Sequence, residues 1–592
     1  MRVDPIAMVL DDLLRLDDIL ACMVARRNMI SVMPSGEGFK PEVDQIWDSI
    51  HRAMDSVFGV IGEYSQIGLG EMEFRLQDHE VLFYVFPDTE SALVAIVPAL
   101  ANKGLLEVEL ENARREILKI MNPEVKTEIV ISGYENKIMQ ELERLPKSVE
   151  EQNTITSQTI SKKKDVPGAS DFEAAVGMSR KWDAREAGRE VAETAIRQLH
   201  KPPSFFLLFS TIHYEKHGGF QEFLNGVWDV LPKGTPLIGG TVAGFINPEG
   251  CYTRGATGLA VSYPNMDVAV GFGKNTKRNP KKAARQCADM IKMRLKNSNY
   301  EHKFILDIMS SGLIPQIPGM GRTMIIRSKI ISKVSPRLFD FYGKIMQKGV
   351  CRQDELLKEF VQLLPDYSLI HGGATDDISQ LRNYQFFNEY VSTNSICALA
   401  MNIDIPIRVK TTQGLTETNR TFKISSLDHS RRVIKSIDGK PAIPRLFEIM
   451  HLKMEDLNEH IFNKIFFLPI GWKSKDNKLV ATVVGIFLGD YFYVMFQVDN
   501  VNATLLNLSG QGLLKSINEN IIVTNNTQLG IFSSCGSRLL ALGNHVYDVH
   551  NKLKDYFNDK PFLLYYVAGE GSYSSEHGLE YGNYTFNSAI FG

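Results

Sequence analysis

The sequence has few cysteines, and none of them is spaced as metal ligands are. The six are Cys22, Cys251, Cys287, Cys351, Cys397 and Cys535, in a chain of 592 residues. Without a C-x-x-C or C-x-H spacing, neither a zinc site nor a disulfide framework is indicated. We therefore expect reduced, mostly buried thiols and no metal site.

The chain also lacks an excess of charge of either sign. Lys plus Arg number 66 and Asp plus Glu number 69, which leaves a formal net charge of −3. Because no long-range field draws the whole chain to a polyanion, we expect neither nucleic acid nor a membrane among its partners. Any such contact would have to be local.

No apolar run is suited to a signal peptide or a membrane span. Five aspartates between residues 4 and 18 interrupt the N-terminal segment. The most apolar window, Leu479–Val498, is broken by Gly489-Asp490 and is rich in Val, Phe and Tyr, which is typical of a β-hairpin. We expect a cytoplasmic protein that folds into three or more packed units, because 592 residues exceed what one core supports.

The N-terminal residues predict an α+β domain over 1–122. The predicted elements are a helix over 5–18, two short strands within 20–33, a helix from about 41 to 60, strands at 72–76, 81–85 and 92–99, and an amphipathic helix over 106–121. This element order, with the segment SALVAIVPALANKGLLEVELENARREI at Ser91–Ile117, resembles a roadblock domain, which is similar in fold to longin domains. The resemblance implies homodimerisation or the docking of a small Ras-like GTPase. The alternative is a generic α+β domain that only packs on its neighbour.

A linker is predicted after this domain. Residues 146–172 contain few large apolar side chains and many Ser, Thr, Gln and Lys residues, so they cannot repay the entropy of ordering. We assign 123–175 to a partly helical and then flexible connection.

The region after the linker contains two matching αβ segments. In the first, the apolar strand Ser204–Ser210 and a helix over 219–231 precede a second strand that runs into Gly239-Gly240. In the second, the apolar strand Lys303–Met309 and a helix over 354–364 precede a strand that runs into Gly372-Gly373. After each glycine pair come two strands around a similar turn, at 265–267 and 402–404. We interpret this as an internal duplication of an αβ unit, with parallel strands.

The glycine pairs have two interpretations. At the carboxyl end of a parallel strand, a residue without a Cβ lets backbone N–H groups approach a ligand. Alternatively, the glycines only let the chain turn sharply between strands, and the sequence by itself favours this second interpretation.

Ordered motifs over about 180–592 resemble the FIST sensory domain. Its N-terminal half is similar to TPLIGGTVAGF at Thr235, GATGLAVSYPNMDVAVGFG at Gly255, YSLIHGGATDD at Tyr367 and IKSIDGKPAIPRLFEIM at Ile434. Its C-terminal half is similar to FFLPIGW at Phe466, LGIFSSCGSRLLALG at Leu529, VAGEGSY at Val567 and YGNYTFNSAIFG at Tyr581. We assign 176–455 to the first half and 456–592 to the second. The expected fold class is thus a multidomain α/β and α+β chain, with a two-lobed FIST region after the roadblock/longin-like domain.

The FIST resemblance implies a signalling protein that binds a small ligand, such as an amino acid or a related metabolite, without a cofactor. By position, the ligand-binding candidates are Gly239, Gly240, Thr241, Gly372, Gly373, Ala374, Cys535, Arg538, Glu570 and Asn583. The sequence departs from the family pattern at Gly582 and at Ser537-Arg538, which puts one contact at the C-terminal edge in doubt.

The chemistry of these candidates leaves alternatives open. Cys535 could be a nucleophile at a strand-to-helix turn, but a small buried thiol is the simpler interpretation. Arg538 and Glu570 could hold the two ends of a zwitterionic ligand, or they could form an ordinary ion pair. We interpret His371 as a hydrogen-bonded structural residue rather than an acid–base catalyst.

A basic segment over 322–348 has three interpretations. It could cover the ligand cleft, dock an acidic partner, or be a solvated surface, and the last is the simplest.

For the whole chain we expect a signal-transduction protein without a catalytic centre. Its FIST region would sense a ligand and its roadblock-like domain would dock a partner or dimerise. The alternatives are an adaptor without a ligand and a hydrolase or transferase that uses Cys535.

Overall fold

The computed structural model of the chain describes two compact units. The described residues are 4–26, 31–35, 56–61, 63, 70–87, 90–122, 171–312, 316–317, 321–322, 324–327, 352–377, 382–458 and 461–592. The units are Met1–Val166 and Pro167–Gly592, so their boundary falls inside the predicted connection 123–175. The predicted linker at 146–172 lies almost wholly outside the described residues, as does most of the basic segment 322–348.

The first unit is an α+β domain with one antiparallel sheet. Its elements are α1 (Pro5–Leu14), β1 (Ala21–Arg26), β2 (Glu71–Arg75), β3 (His79–Val85), β4 (Ser91–Pro98) and α2 (Lys103–Met121), and the strand order is β1-β4-β3-β2. The predicted three-strand meander and closing helix are confirmed. Of the predicted helix over 41–60, only 56–60 is described, and it is helical. The second predicted strand near residue 32 is a single bridge between Val24 and Val32.

Local sequence explains the limits and packing of these elements. Helix α1 begins after Asp4, whose carboxylate accepts a hydrogen bond from the Ile6 N–H at 2.9 Å, with Pro5 at the first helical position. Alternate apolar residues of the sheet, such as Phe83 and Val94, pack against Phe58 on the helical segment. The domain therefore has its own apolar core.

The second unit contains five sheets among its described residues. Its helices are α3 (Ala184–Ile196), α4 (Phe220–Trp228), α5 (Pro280–Arg294), α6 (Gln353–Leu363), α7 (Ala442–Met450), α8 (Ile461–Ile465), α9 (Gly510–Asn520), α10 (Gly536–Leu542) and α11 (Val546–Phe557). Its strands are β5 (Glu173–Ser179), β6 (Phe205–Ser210), β7 (Leu237–Thr241), β8 (Gly244–Asn247), β9 (Gly250–Tyr252), β10 (Ala256–Ser262), β11 (Met266–Lys274), β12 (His302–Ser310), β13 (Gln316–Ile317), β14 (Gly321–Arg322), β15 (Ile325–Ile326), β16 (Ser368–Ala374), β17 (Gln385–Phe387), β18 (Tyr390–Ser392), β19 (Ser395–Ile403), β20 (Ile407–Thr412), β21 (Thr416–Leu427), β22 (Val433–Ile437), β23 (Lys440–Pro441), β24 (Ile470–Lys473), β25 (Leu479–Thr482), β26 (Val484–Leu488), β27 (Tyr491–Val494), β28 (Asn502–Asn507), β29 (Leu529–Cys535), β30 (Phe562–Val567), β31 (Glu570–Ser574), β32 (Gly578–Gly582) and β33 (Phe586–Phe591).

Three of these sheets have six strands and the same strand order. The orders are β18-β17-β7-β6-β10-β5, β32-β31-β16-β12-β19-β11 and β9-β8-β30-β29-β33-β20. In each sheet the third and fourth strands are parallel, and their partners on both sides are antiparallel. The two αβ segments that the sequence matched thus have a common topology, and the same topology occurs a third time between Ile407 and Phe591.

Each of these sheets is completed by a hairpin from another part of the chain. Hairpin β8-β9 follows β7 but pairs with β30, hairpin β17-β18 follows β16 but pairs with β7, and hairpin β31-β32 follows β30 but pairs with β16. The exchange is cyclic, since every sheet gives one hairpin and receives one. We call this arrangement the three-sheet ring.

The strands around the two matched turns pass between sheets. Strands β10 and β11 are consecutive in sequence, and so are β19 and β20, yet the members of each pair belong to different sheets. Strands from both sides of the predicted 455/456 boundary also share sheets, because β20 pairs with β33. That boundary itself stays a prediction.

An apolar core fills the inside of the ring. Side chains from all three sheets, among them Phe209, Ile308 and Ile531, belong to one buried cluster. Helices α3 and α4 cover the outside of the first sheet, and α5 and α6 cover the outside of the second. The interior is therefore mostly packed rather than hollow.

A further sheet is formed by strands that lie between β20 and β29 in sequence, together with the earlier strand β15. Its order is β15-β26-β27-β22-β21-β28-β24-β25, with β23 beside β22. The predicted hairpin turn at Gly489-Asp490 is confirmed between β26 and β27. None of the helices in the described ranges combines the length and apolar character that crossing a membrane requires.

Candidate functional site

The two glycine pairs lie within strands. Gly239-Gly240 belong to β7 and Gly372-Gly373 to β16, and none of the four has a positive φ. The interpretation that they let the chain turn sharply is therefore wrong. A Cβ on Gly239 would lie 1.7 Å from the Leu208 carbonyl oxygen, so close approach of the neighbouring backbone requires glycine here.

Gly240 of the first pair and Gly372 of the second both lie near the side chain of Ile308. A Cβ on Gly240 would lie 2.9 Å from Ile308 and 3.4 Å from the Ala374 side chain, and a Cβ on Gly372 would lie 3.3 Å from Ile308. The structure thus brings Gly240, Gly372 and Ala374 together in the packed core. Thr241 accepts a hydrogen bond from the Tyr384 N–H at its hydroxyl and is also bound by the Thr375 N–H at its carbonyl.

A small cavity lies at the carboxyl end of β29. Its volume is about 60 Å³. It is lined by Met324, Phe462, Phe466, Val483, Val484, Gly485, Met495, Cys535, Gly536, Ser537, Val567, Ala568 and Asn583. A volume of about 60 Å³ accommodates a few ordered waters or a very small organic group.

Cys535 contributes its side chain to the wall of this cavity. It is the last residue of β29 and precedes α10, as the sequence predicts. Burial, and next the neighbouring Glu570 carboxylate, raise the pKa of the Cys535 thiol to about 12. The thiolate fraction at neutral pH is therefore very small, which argues against Cys535 as a nucleophile in this arrangement.

Glu570 is a neighbour of Cys535, whose side chain lowers the pKa of the Glu570 carboxyl through a hydrogen bond, against the larger effect of burial. It begins β31, pairs with Gly372 of β16 and is fully buried. Its Oε2 atom accepts a hydrogen bond from the Thr585 hydroxyl at 3.4 Å, whereas Oε1 has no hydrogen-bond partner among the described residues. Burial raises the pKa of the Glu570 carboxyl well above its ordinary value. A buried acid that is neutral at pH 7 can donate a hydrogen bond.

A chain of hydrogen bonds extends from Glu570 along the inside of the ring. The Asn587 side-chain amide donates to the Thr585 and Ser533 hydroxyls at 3.4 and 3.0 Å, and its carbonyl accepts from the Thr411 hydroxyl at 2.7 Å. Ser533 also donates to the carbonyl of His371 at 3.3 Å. This chain couples the second and third sheets through polar groups in an otherwise apolar core.

Both terminal nitrogens of Arg538 donate hydrogen bonds to backbone carbonyls or to a hydroxyl. Its Nη1 donates to the Gln413 and Tyr584 carbonyls at 2.8 and 3.2 Å, and its Nη2 donates to the Leu513 carbonyl and the Ser516 hydroxyl, both at 2.9 Å. Burial lowers the pKa of Arg538 to about 10. No ion pair joins Arg538 to Glu570 among the described residues, so the ion-pair interpretation is wrong. Few N–H donors of Arg538 remain for a ligand.

Asn583 also lines the cavity. Its N–H donates to the Ala481 carbonyl at 2.9 Å, and its side-chain oxygen accepts from the Val483 N–H at 3.2 Å. The residue therefore fastens the β25–β26 connection over the cavity. Of the ten candidates, Cys535 and Asn583 line the cavity, and the other eight do not.

The sequence interpretation missed two groups of buried polar residues. The first group is Ser533, Thr585 and Asn587. The alternation of Thr585 and Asn587 with apolar residues in YTFNSAIF could have indicated an inward-facing polar row. The second is Asp307, which binds His371 in a buried hydrogen bond, while Asp307 Oδ2 and His371 Nε2 have no partner among the described residues. An aspartate within the apolar strand Lys303–Met309 was the available signal.

A larger and more open cleft lies on the β21-β28-β24 face. Its volume is about 500 Å³, and Lys473 and Glu417 form an ion pair of 3.3 Å at its wall. None of the predicted site residues lines it. Within the described ranges, no group of three His, Cys, Asp or Glu side chains is arranged as a metal site.

Comparisons with known proteins agree with part of the sequence resemblance. Residues 204–440 match the family model of the FIST N domain, a sensory domain of signal-transduction proteins, which confirms that resemblance over this range. No curated protein matches the chain. The N-terminal region is similar to the roadblock-like protein MglB of Myxococcus xanthus, with 16% identity, 21% of this chain and 99% of that chain covered, and a TM-score of 0.18. Cyanuric acid hydrolase from A. caulinodans is similar at 8% identity over 39% of this chain and 71% of that chain, with a TM-score of 0.20. Scores this low carry no structural argument.

Proposed function

We propose that the second unit is a sensor that binds a small polar molecule at the cavity beside Cys535, and that binding changes the partner affinity of the first unit. A FIST N domain over 204–440 supports the sensory role. The observation that carries the location is Glu570, a fully buried carboxyl that does not line the cavity itself but interacts with Cys535 in its wall, and whose Oε1 atom has no geometric hydrogen-bond partner among the described residues. Leaving such a group without a partner costs about 1–3 kcal/mol, and a ligand atom would recover that cost.

The ligand class follows from the family resemblance and from the site. An amino acid or a related metabolite offers both an oxygen acceptor and an ammonium donor. A neutral Glu570 can donate to the first, and an ionised Glu570 can accept from the second. The cavity of about 60 Å³ requires widening for most amino acids, and Met324 and Met495 in its wall are the adaptable side chains that allow it.

Signal transfer would use the ring. Glu570 belongs to β31, which completes the second sheet, and the polar chain through Asn587 connects it to the third. A ligand that orders this junction stabilises one arrangement of the ring over another, which is the condition for changing a partner's affinity. The partner of the first unit is a small GTPase or a second copy of this chain, as the roadblock resemblance implies.

The test is a thermal-shift screen of the full chain against amino acids, organic acids and nucleotides. A ligand is expected to raise the melting temperature in a concentration-dependent manner, because it binds only the folded state. The Glu570→Gln variant should abolish that response while folding normally. Glu249→Gln is the control, since Glu249 is an exposed carboxyl with a raised pKa outside the cavity. An unchanged response in Glu570→Gln would place the ligand elsewhere.

Two alternatives give different results in the same experiment. An adaptor without a ligand shows no shift with any compound, yet it still binds its partner through the first unit. A hydrolase or transferase that depends on Cys535 turns a substrate over, and Cys535→Ala abolishes turnover whereas Cys251→Ala, at an equally buried thiol outside the cavity, does not.

A further inference from the structure

The small net charge of the chain conceals a strong separation between its units. Residues 1–166 carry a net charge of −11, whereas residues 167–592 carry +8. The expectation that this protein does not contact a membrane was based on the net charge of the whole chain, which averages over the two units. The relevant quantity for a docking surface is the local charge, because exposed charges farther apart than about 8 Å are largely screened from each other in physiological salt.

Much of the excess positive charge lies on and around α5. Residues 274–296 contain nine basic residues and one acidic residue, Asp289. Eight of the nine are exposed to solvent. These eight, which we call the basic face, are Lys274, Arg278, Lys281, Lys282, Arg285, Lys292, Arg294 and Lys296.

Little of this charge is neutralised by the protein. Glu359, which is 8% exposed, lies 3.6 Å from Lys281 and 2.7 Å from Arg285. In the part of the chain that the structure describes, Lys282, Lys292 and Arg294 have no carboxylate within 4 Å. The basic face therefore keeps most of its charge for an external anion.

An apolar side chain interrupts the basic face at its C-terminal end. Met293 is 72% exposed, between Lys292 and Arg294. The opposite side of α5, with Ala283, Ala284 and Ile291, is buried against the second sheet. The packing of this side holds the helix in place, with its basic side chains and Met293 exposed to solvent.

We propose that the basic face of α5 docks the second unit on an anionic phospholipid surface, with Met293 entering the headgroup region. Lysines and arginines that flank an exposed apolar side chain on a helix are typical of interfacial binding, and each basic residue near an anionic leaflet contributes to attraction. The exposed residues of 274–296 include no aromatic side chain on which bases could stack, so single-stranded nucleic acid fits this surface less well.

The experiment is co-sedimentation of the full chain with vesicles of phosphatidylcholine, alone or mixed with phosphatidylserine. The protein should sediment only with the mixed vesicles, and binding should weaken as salt concentration rises. The variant K282E/K292E/R294E should bind at least about tenfold more weakly. Met293→Ser should reduce binding severalfold and leave its salt dependence unchanged. The matched control K475E/K554E/K560E reverses three exposed lysines elsewhere and should bind as the unmodified chain does.

Three outcomes would overturn the proposal. They are no binding to the mixed vesicles, equal losses in the α5 variant and the control, and binding to an RNA homopolymer without binding to vesicles. The last would assign the basic face to nucleic acid instead. All substituted residues are exposed, so a melting temperature close to that of the unmodified chain is expected for each variant.

Discussion

Two buried ionisable side chains a few residues from the cavity have opposite surroundings. Arg538 makes four hydrogen bonds to carbonyl and hydroxyl groups, whereas Glu570 has one oxygen atom without a partner among the described residues. Satisfied polar groups hold a structure together, and unsatisfied ones indicate where another molecule or water binds. Arg538 is thus a structural residue, whereas Glu570 is the ligand contact that we propose.

Replacing Arg538 should destabilise the second unit strongly. Arg538→Met leaves the Gln413, Leu513 and Tyr584 carbonyls without this donor. Each buried group that loses its partner costs about 1–3 kcal/mol, so we expect a loss of about 3 kcal/mol or more in chemical denaturation. Arg197→Met, at a side chain 75% exposed, is the control and should change stability by less than about 0.5 kcal/mol. A near-neutral Arg538→Met would contradict the assigned role.

Glu570 should make stability fall as pH rises. Its folded pKa lies well above its ordinary value, so above that ordinary value the folded state retains a proton that the unfolded state has lost. Stability then decreases by up to about 1.4 kcal/mol per pH unit until the folded pKa is reached. Glu570→Gln should remove this slope above pH 4.5, as measured by denaturant midpoints, and Glu576→Gln, at an exposed site, should keep it. Parallel slopes for all three proteins would refute the assignment.

At the scale of elements, a buried ion pair joins α6 to the sheet that contains β22. Arg432, on the approach to β22, binds the Asp354 carboxylate and the Met495 carbonyl, and the Gln497 N–H donates to Asp354 at 3.0 Å. Burial alone would raise the pKa of Asp354, but the Arg432 guanidinium outweighs it and holds the pKa below its ordinary value. The contact stabilises the folded state above pH 3.8 and is lost as pH falls below that value.

Breaking this pair should cost more than replacing it. Arg432→Met leaves a buried carboxylate unpaired and should lower stability by about 3–5 kcal/mol at neutral pH. The double variant D354L/R432M should recover part of that loss, because it removes both charges. Thermal or chemical denaturation measures the difference. A double variant as unstable as the sum of the single variants would exclude direct coupling.

Local pattern was sufficient to predict most individual elements. Apolar runs and alternation predicted β6, β12 and β29, and the strand-to-helix turn at Cys535 lies where the sequence placed it. The hairpin exchange could not be predicted in this way. β8, β17 and β31 are short strands whose partners lie far away in sequence, and local periodicity contains no information about which distant edge a strand will join.

The candidate site could be predicted only in part for the same reason. Gly372 lies beside Glu570 because β31 pairs with β16, 198 residues apart in sequence. The duplication suggested a hollow between two lobes, but the third set of strands adds side chains such as Tyr565 and Ile531 that fill it. The cavity of about 60 Å³ lies at the carboxyl end of β29 and is lined mainly by residues outside this core cluster.

At the scale of the whole molecule, the second unit should not survive division at residue 455. A chain of residues 171–455 lacks β30, β31 and β33, so β8, β16 and β20 lose a neighbouring strand and the core of the ring becomes exposed. We expect dye binding typical of exposed apolar surface and no cooperative thermal transition. Residues 171–592 serve as the control and should unfold cooperatively. A sharp transition for the shorter chain would show that the first two sheets are self-sufficient.

The cyclic hairpin exchange also determines how the second unit responds to mechanical load. Each sheet contributes a hairpin to another sheet of the ring. Pulling one sheet apart therefore removes strands from a second sheet, whose loss of stability affects the third and then the first again. Stretching a single molecule from its two ends should therefore produce one large rupture of this unit rather than a staircase of three small ones.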